Sequence, residues 1–271
     1  MMNGLFDTGF LKRERDGHKG DYGKVLISAG SKGMMGAAIL AARSALRSGA
    51  GLLTLSVPVG YFELMHLAVP EAMCVERGRE DFGKYDAVAF GCGIGKNAAE
   101  YLQTLLTEYD GLLVLDADGL NIMAENRRFL EDFKGKLLIT PHEGEAARLL
   151  KTTAEKIHAG REEAVKRLAS EYRCTAVLKG SGSLVYGESG LYINSTGNPG
   201  MATGGSGDCL TGICTALAAA CGNMENAARL GVYVHGLAGD IAAQKLGETS
   251  LAAGDIIDAL PQAFMQLEKQ G

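Results

Sequence analysis

Apolar residues alternate between two rhythms along the chain. Short unbroken apolar runs, the first being Lys24–Gly30 (KVLISAG), have the length and the glycine-marked ends of buried strands. The stretches between them repeat apolar positions three and four apart, as a helix with one buried face does. This pattern predicts strands at Lys24–Gly30, Leu52–Pro58, Ala87–Gly91, Leu112–Asp116, Lys136–Thr140 and Ala176–Lys179. Between them it predicts helices at Met35–Ser48 (with Gly49 and Gly51 placed to end it), Ala98–Tyr109, near Leu120–Glu125, at Glu145–Leu150 and at Ile157–Tyr172. Strands without a polar side belong to a parallel sheet covered on both faces, so the expected fold is a layered α/β domain with βαβ units. Near residue 180 the rhythm changes. Leu184–Gly187 and Leu191–Ser195, separated by Glu188-Ser189-Gly190, read as an antiparallel hairpin. Three helices, Cys209–Cys221, Glu225–Leu246 and Ala253–Lys269, close the chain.

Composition narrows the functional classes. At 271 residues, with no linker-like stretch and no internal repeat, residues 1–271 read as one domain. A net charge of −5 gives no electrostatic footprint for nucleic acid. Glycine is the outlier: 38 residues, roughly twice average usage, without a collagen period. Such an excess marks tight turns and backbone that approaches a ligand closely. The six cysteines contain no C-x-x-C pair and mostly sit in apolar segments, so they read as reduced thiols of a cytoplasmic protein. Met1–Lys24 has no apolar core of a secretory signal, and the uncharged run Cys209–Met224 is too short and polar to span a bilayer. The alanine-rich stretches Ala37–Ala45 and Ala216–Ala220 offer close-packing faces to other subunits, which makes a homo-oligomer the expectation.

Ligands of open parallel sheets bind beyond the carboxyl ends of the strands. Five strand ends in succession carry glycine or polar groups: Gly30–Ala37, Gly91–Gly95, Asp116–Asn121, Thr140–Glu145 and Lys179–Ser183. Any one could be turn chemistry; five on one rim point to a site. The sharpest segment is Asn194–Asp208, whose glycines lead into the first of the closing helices. Amides at a helix start, with the positive end of its dipole, bind anions, and Gly204, Gly205 and Gly207 allow phosphate oxygens to approach. Asp208 reads either as the helix N-cap or as a base that accepts a hydroxyl proton while those amides stabilise a transferring phosphoryl group. His142 reads as a ligand contact or as a loop-orienting residue, Lys179 as a phosphate contact or a surface charge. Asp116 and Asp118 read as turn residues or as water-mediated metal partners. His235, amid Val232, Val234 and Leu237, reads as a packed helix residue. No P-loop, no G-x-G-x-x-G opening a helix, no H-E-x-x-H and no complete G-x-S-x-G competes with this segment.

Seven ordered motifs together resemble the ribokinase-like superfamily and, within it, the ADP/ATP-dependent NAD(P)H-hydrate dehydratase family. They are His18–Gly23, Gly30–Ala38, Gly91-x-Gly93-x-Gly95, Leu115–Asp118 with Leu120, Thr140-Pro141-His142-x-Gly144-Glu145, Lys179-Gly180 and Gly204–Asp208. The resemblance covers nearly the whole chain. Cys92 departs from the proline usual between the first two glycines of the third motif, a change read as affecting turn stiffness. The resemblance implies a three-layer α/β/α sandwich with a mainly parallel sheet. It also implies ADP-dependent dehydration of the S-epimer of hydrated NADH or NADPH, with release of AMP and phosphate. Under it, Ala37, Gly93, His142 and Asp208 line the hydrated-cofactor site, and Asp208 is catalytic. Lys179, Gly180, Ser181, Gly182, Ser183 and Gly207 hold the nucleotide, and Glu145 helps to organise Mg2+ through water. Members often carry a fused epimerase domain; here a separate epimerase is the expected partner, with a tetramer among the assemblies considered. Alternatives are an ATP-dependent small-molecule kinase, hydroxyethylthiazole kinase-like, and a non-catalytic nucleotide-binding sensor.

Overall fold

The computed structural model describes residues 6–269; the first five residues of the N-terminal stretch read above lie outside them. Nine strands form one sheet: β1 (Lys24–Ser28), β2 (Leu52–Val57), β3 (Met73–Glu76), β4 (Ala87–Phe90), β5 (Leu112–Leu115), β6 (Lys136–Ile139), β7 (Thr175–Leu178), β8 (Leu184–Gly187) and β9 (Gly190–Ile193). Their order is β3-β2-β1-β4-β5-β6-β7-β8-β9. Pairing is parallel from β3 to β7, with Val25 opposite both Leu53 and Ala87, and antiparallel through the β8–β9 hairpin. Among the described residues ten α-helices accompany the sheet: α1 (Met35–Arg47), α2 (Phe62–Ala68), α3 (Ala99–Glu108), α4 (Asp118–Glu125), α5 (Glu143–Leu149), α6 (Ala154–Ala159), α7 (Arg161–Tyr172), α8 (Ser206–Cys221), α9 (Met224–Leu246) and α10 (Ala253–Glu268).

The period of two along each strand sorts its side chains between two helical layers. Leu26, Val88, Leu113 and Leu115 pack with α3–α7 on one face. Val25, Ile27 and Ala89 meet α1 on the other, and Val114 meets α8–α10 there. Both faces are dry, which is why the strands read as continuous apolar runs. The expected three-layer α/β/α sandwich is the observed one.

Four local expectations are corrected. The helix expected over Ile157–Tyr172 is two, α6 and α7, because Gly160 lies outside the helical region (φ −139°, ψ 52°) and so stops one and starts the other. The edge strand β3 and the short α2 were not expected; β3 is only four residues with no fully buried position, so it lacks the apolar run that marks its neighbours. Helix α8 begins at Ser206, three residues before Cys209, with Gly205 as its left-handed N-cap (φ 93°). The alanine-rich faces are used within the chain: Ala38, Ala41, Ala42, Ala45, Ala216 and Ala218 are fully buried. Helices α1 and α8 meet so closely there that a Cβ on Gly212 would run into the carbonyl of Ala41. No described helix is long and apolar enough to cross a membrane, and all six cysteines are free thiols.

Candidate functional site

The chain leaves β1 in one direction, through α1 to β2 and β3, and re-enters the sheet on the other side of β1 at β4. A crevice opens at such a reversal, and the loops after β1 and β4 form its walls. They are fastened together. The Gly30 amide donates to the Cys92 carbonyl at 2.8 Å, and the Gly95 amide ties the second loop in turn to the start of α4 through Asp118 Oδ2 at 2.9 Å. Gly91 turns at φ 128°, and any side chain there would collide with the Asp116 carbonyl. Arg77 Nη2 braces the first loop through the carbonyls of Ala29 (2.7 Å) and Gly30 (2.6 Å). Ala37, early in α1, stands against Gly93, so the two expected substrate-side residues lie side by side.

Next along the rim, charges replace backbone. Asp116, at the end of β5 and 2% exposed, accepts from Lys179 Nζ at 2.6 Å and from Thr211 Oγ1 of α8 at 2.7 Å. It is therefore neither a turn residue nor a free carboxylate; it is the link between β5, β7 and α8. Lys179 also stands 3.8 Å from Glu145 Oε2. Burial alone would lower the lysine pKa, but Asp116 and Glu145 outweigh it and the net shift is upward. The ammonium thus points inward, at two carboxylates.

Glu145 completes a capping box with His142. Its Oε2 accepts the His142 amide at 2.9 Å, while His142 Nδ1 accepts the Gly144 amide at 3.0 Å. The loop-orienting reading of His142 is the one seen here: one ring nitrogen orients the loop, and the half-exposed ring faces solvent on the rim. Among the described residues no three His, Cys, Asp or Glu side chains cluster as direct metal ligands. Glu145, already committed to the His142 amide and beside an ammonium, suits a magnesium ion held through water by a nucleotide's phosphates and does not suit an inner-shell bond.

Residues 179–183 form the adjoining loop. Arg161, the first residue of α7, grips it from below, donating to the carbonyls of Ser181 (2.6 Å), Leu178 (3.3 Å) and Lys179 (3.4 Å). Ser183 Oγ closes it by donating to the Gly180 carbonyl at 3.0 Å. A Cβ on Gly207 would sit 3.4 Å from Lys179 Nζ, so this loop and the start of α8 share one pocket wall.

At that helix start the amides of Gly204, Gly205, Gly207 and Asp208 make no backbone hydrogen bond among the described residues, whereas the Ser206 amide is turned back to the Thr203 carbonyl at 3.3 Å. Gly204 is exposed, and a Cβ on it would meet nothing. Asp208 is the third helical residue and caps nothing. Its pKa is raised: burial and the charge of Asp116 push it up, against the Cys92 thiol and Lys179, which pull it down. The half-buried carboxylate is a stronger base than an exposed aspartate, and it sits beside unbonded amides and a helix dipole. That arrangement can take a proton from a hydroxyl while the developing charge on a transferred phosphoryl group is stabilised.

Several residues that hold this geometry were not singled out from the sequence. Asp240 of α9 accepts the Gly197 amide and the Asn198 side chain, both at 2.9 Å, and Thr196 Oγ1 donates to the Tyr233 carbonyl at 2.8 Å. The glycine-rich loop is thereby clamped to α9. The available signal was the run His235–Asp240, with two glycines on one helix face. His235 itself is more than core packing: Nε2 lies 3.3 Å from Ser206 Oγ, and burial pushes its pKa down to about 4.

A sequence profile described as NAD(P)H-hydrate dehydratase matches residues 25–262. The bifunctional NAD(P)H-hydrate repair enzyme of Moorella thermoacetica is 42% identical over 96% of this chain; the chain spans only 52% of that protein. The ADP-dependent (S)-NAD(P)H-hydrate dehydratase of Neisseria meningitidis is 38% identical over 92% of this chain and 88% of its own length. Among solved structures, the ADP/ATP-dependent NAD(P)H-hydrate dehydratase of Bacillus subtilis, co-crystallised with ATP and Mg2+, superposes with a TM-score of 0.84 at 28% identity, covering 94% of this chain and 93% of its own.

Proposed function

We propose, since this chain belongs to the NAD(P)H-hydrate dehydratase family, that it performs the ADP-dependent dehydration of the S-epimer of hydrated NADH or NADPH. Restored NAD(P)H, AMP and phosphate are the products. The observation that supports this most directly is Asp208: a carboxylate of raised pKa at the third position of α8, beside the unbonded amides of Gly204, Gly205 and Gly207.

Hydroxide is a poor leaving group from the hydrated ring. Asp208 accepts the proton of the ring hydroxyl as its oxygen attacks the terminal phosphorus of ADP, and the bond to the AMP oxygen breaks. The amides at the start of α8 stabilise the transferring group. Phosphate then leaves with the carbon–oxygen bond pair, helped by the ring nitrogen, and loss of a proton from the adjacent ring carbon restores the dihydronicotinamide. Magnesium, when bound to the nucleotide, supplies charge neutralisation, with Glu145 holding its water. Ala37, Gly93 and His142 line the substrate side. The backbone of 179–183 and Gly207 take the nucleotide, and Lys179 supplies positive charge from the pocket floor.

We read the nine-stranded sheet and its helices as one catalytic unit that needs an epimerase for the other epimer. We place it in the cytoplasm, where six free thiols remain reduced. The test uses chemically hydrated NADPH, magnesium and either ADP or ATP, following the near-ultraviolet absorbance of the dihydronicotinamide. Recovery stoichiometric with AMP release from ADP is expected. A stable phosphorylated product would point to a kinase, and bound nucleotide without turnover to a sensor.

A further inference from the structure

Arg161 spends its guanidinium on backbone. Nη1 donates to the Ser181 carbonyl at 2.6 Å, and Nη2 meets the carbonyls of Leu178 (3.3 Å) and Lys179 (3.4 Å). Nε lies 3.5 Å from Glu143 Oε1, which pairs the arginine with the first residue of α5. Fork and loop pack tightly: Gly180 turns at φ 148°, and a Cβ there would come within 2.8 Å of Nη2. A carbonyl held in this way fixes more than itself. The peptide unit is planar and trans, so its C=O and its N–H point in opposite directions. With the Ser181 carbonyl drawn onto Nη1, the Gly182 amide of the same unit faces away from Arg161. That amide is free. Among the described residues neither it nor the amides of Ser181 and Ser183 donate a hydrogen bond. Their neighbours are committed, the Gly180 amide to Ser183 Oγ (3.3 Å) and the Lys179 amide to the Pro141 carbonyl (2.8 Å). Successive unbonded amides in a turn are a form in which backbone binds anions.

We propose that Arg161 is a positioning residue for the nucleotide: its fork holds the 178, 179 and 181 carbonyls beneath the loop and so keeps the Gly182 amide turned outward, where it donates to ADP. This rests on the reading of residues 179–183 as the nucleotide loop. Arg161 touches no reactant; it acts through the peptide unit that it holds. Its charge is offset by Glu143, so what it supplies is orientation. A lysine supplies less, because a single ammonium lacks the planar fork that spans carbonyls several residues apart. The loop is separate from Asp208 and the start of α8, and the effect therefore falls on nucleotide binding and leaves the chemical step alone.

The test compares Arg161→Met and Arg161→Lys with the parent protein, and Arg127→Met serves as control. Arg127 also grips α7, through the Glu171 carboxylate (3.1 Å) and carbonyl (2.6 Å), without meeting the loop. ADP affinity in the presence of magnesium is measured by calorimetry, the Gly182 amide is followed by NMR as ADP is added, and kcat and both KM values are recorded. Arg161→Met binds ADP about tenfold more weakly, the worth of one amide hydrogen bond. The ADP-induced shift of the Gly182 amide shrinks with it. KM for ADP rises in step, while kcat at saturating ADP and KM for the hydrated cofactor stay unchanged. Arg161→Lys lies between the two, and Arg127→Met binds ADP as the parent does. Unchanged ADP affinity in an Arg161→Met protein with native circular dichroism overturns the inference. So does a lysine variant that binds like the parent, since charge would then suffice, or an equal loss in Arg127→Met, since the stability of α7 would then explain it. Absence of repair turnover in a parent protein that binds ADP would defeat the proposed function alone, because calorimetry and the amide shift still decide the role of Arg161.

Discussion

Lys179 Nζ stands 2.6 Å from Asp116 Oδ1, joining the end of β7 to the end of β5 directly beneath the start of α8. The pair is largely buried, with side chains 17% and 2% exposed, and Thr211 and Glu145 complete its environment. It holds the glycine-flanked helix start, the 179–183 loop and Asp208 in one frame, so its loss should be felt both in stability and in activity.

Replacing Lys179 with Met leaves Asp116 as a buried, unpaired carboxylate. Breaking a buried pair from one side costs about 3 kcal/mol or more, and a urea-denaturation midpoint would report it. Lys179→Met/Asp116→Asn, which removes both charges, should recover part of that loss; a double variant no better than the single would show that packing, and not charge, dominates. Since the folded lysine pKa is raised above 10.5, the pair's contribution is fully present at neutral pH. It declines only when pH rises past the ordinary lysine range.

Asp208→Asn should lower turnover by roughly 10²- to 10⁴-fold, the usual worth of a positioned base, while nucleotide binding measured by calorimetry persists. The same variant should be more thermally stable at neutral pH. A carboxyl whose folded pKa exceeds its ordinary 3.8 binds its proton more tightly in the folded state, so its ionisation weakens the fold as pH rises past that value. The asparagine has no such penalty. A fully active variant would remove Asp208 as the base, and equal melting temperatures at pH 7 would contradict the raised pKa.

The rim of the sheet was legible because its strands are continuous apolar runs and its glycines follow them immediately. The signal fades where contacts span long stretches of sequence. Arg161 grips Ser181 across 20 positions and Asp240 holds Gly197 across 43, and neither spacing leaves a local pattern. Asp208 was placed at the helix start, but the choice between cap and base needed the left-handed Gly205, which takes the N-cap position for itself. Strand β3 escaped notice for the opposite reason: an edge strand with Met73 half-exposed needs no apolar run. Cys92 looked like a turn residue alone because its partner, Asp116 Oδ2, lies 24 positions on, at the end of another strand.

His235 should remain neutral at physiological pH and destabilise the fold on acidification. Its folded pKa, about 4, lies below the ordinary 6.5, so the unfolded chain binds the proton first and stability falls as pH drops from about 6.5 toward 4. Melting temperatures of the parent protein and His235→Gln, recorded across that window, should diverge, with the parent losing ground that glutamine keeps. Parallel curves would mean that the imidazole protonates in place and that its contact with Ser206 survives the charge.

Asp240 makes the last prediction, because it acts on the site without touching it. Its carboxylate receives the Gly197 amide and the Asn198 side chain, and among the described residues no other side chain fixes those two residues of the loop to α9 by a hydrogen bond. Asp240→Ala should cost about 1–2 kcal/mol of stability, the penalty for two polar groups that are only partly shielded from water. The more telling effect is local. The loop runs on to Thr203, whose carbonyl receives the Ser206 amide, so freeing it loosens the first turn of α8 and the placement of Gly204, Gly205 and Gly207. Hydrogen exchange at Gly197 should accelerate and kcat should fall severalfold, while Asp240→Asn, which keeps one acceptor oxygen, should lie between the two. If exchange accelerates and kcat does not move, the amides at the helix start are held by α8 itself, and the clamp on α9 belongs to stability alone.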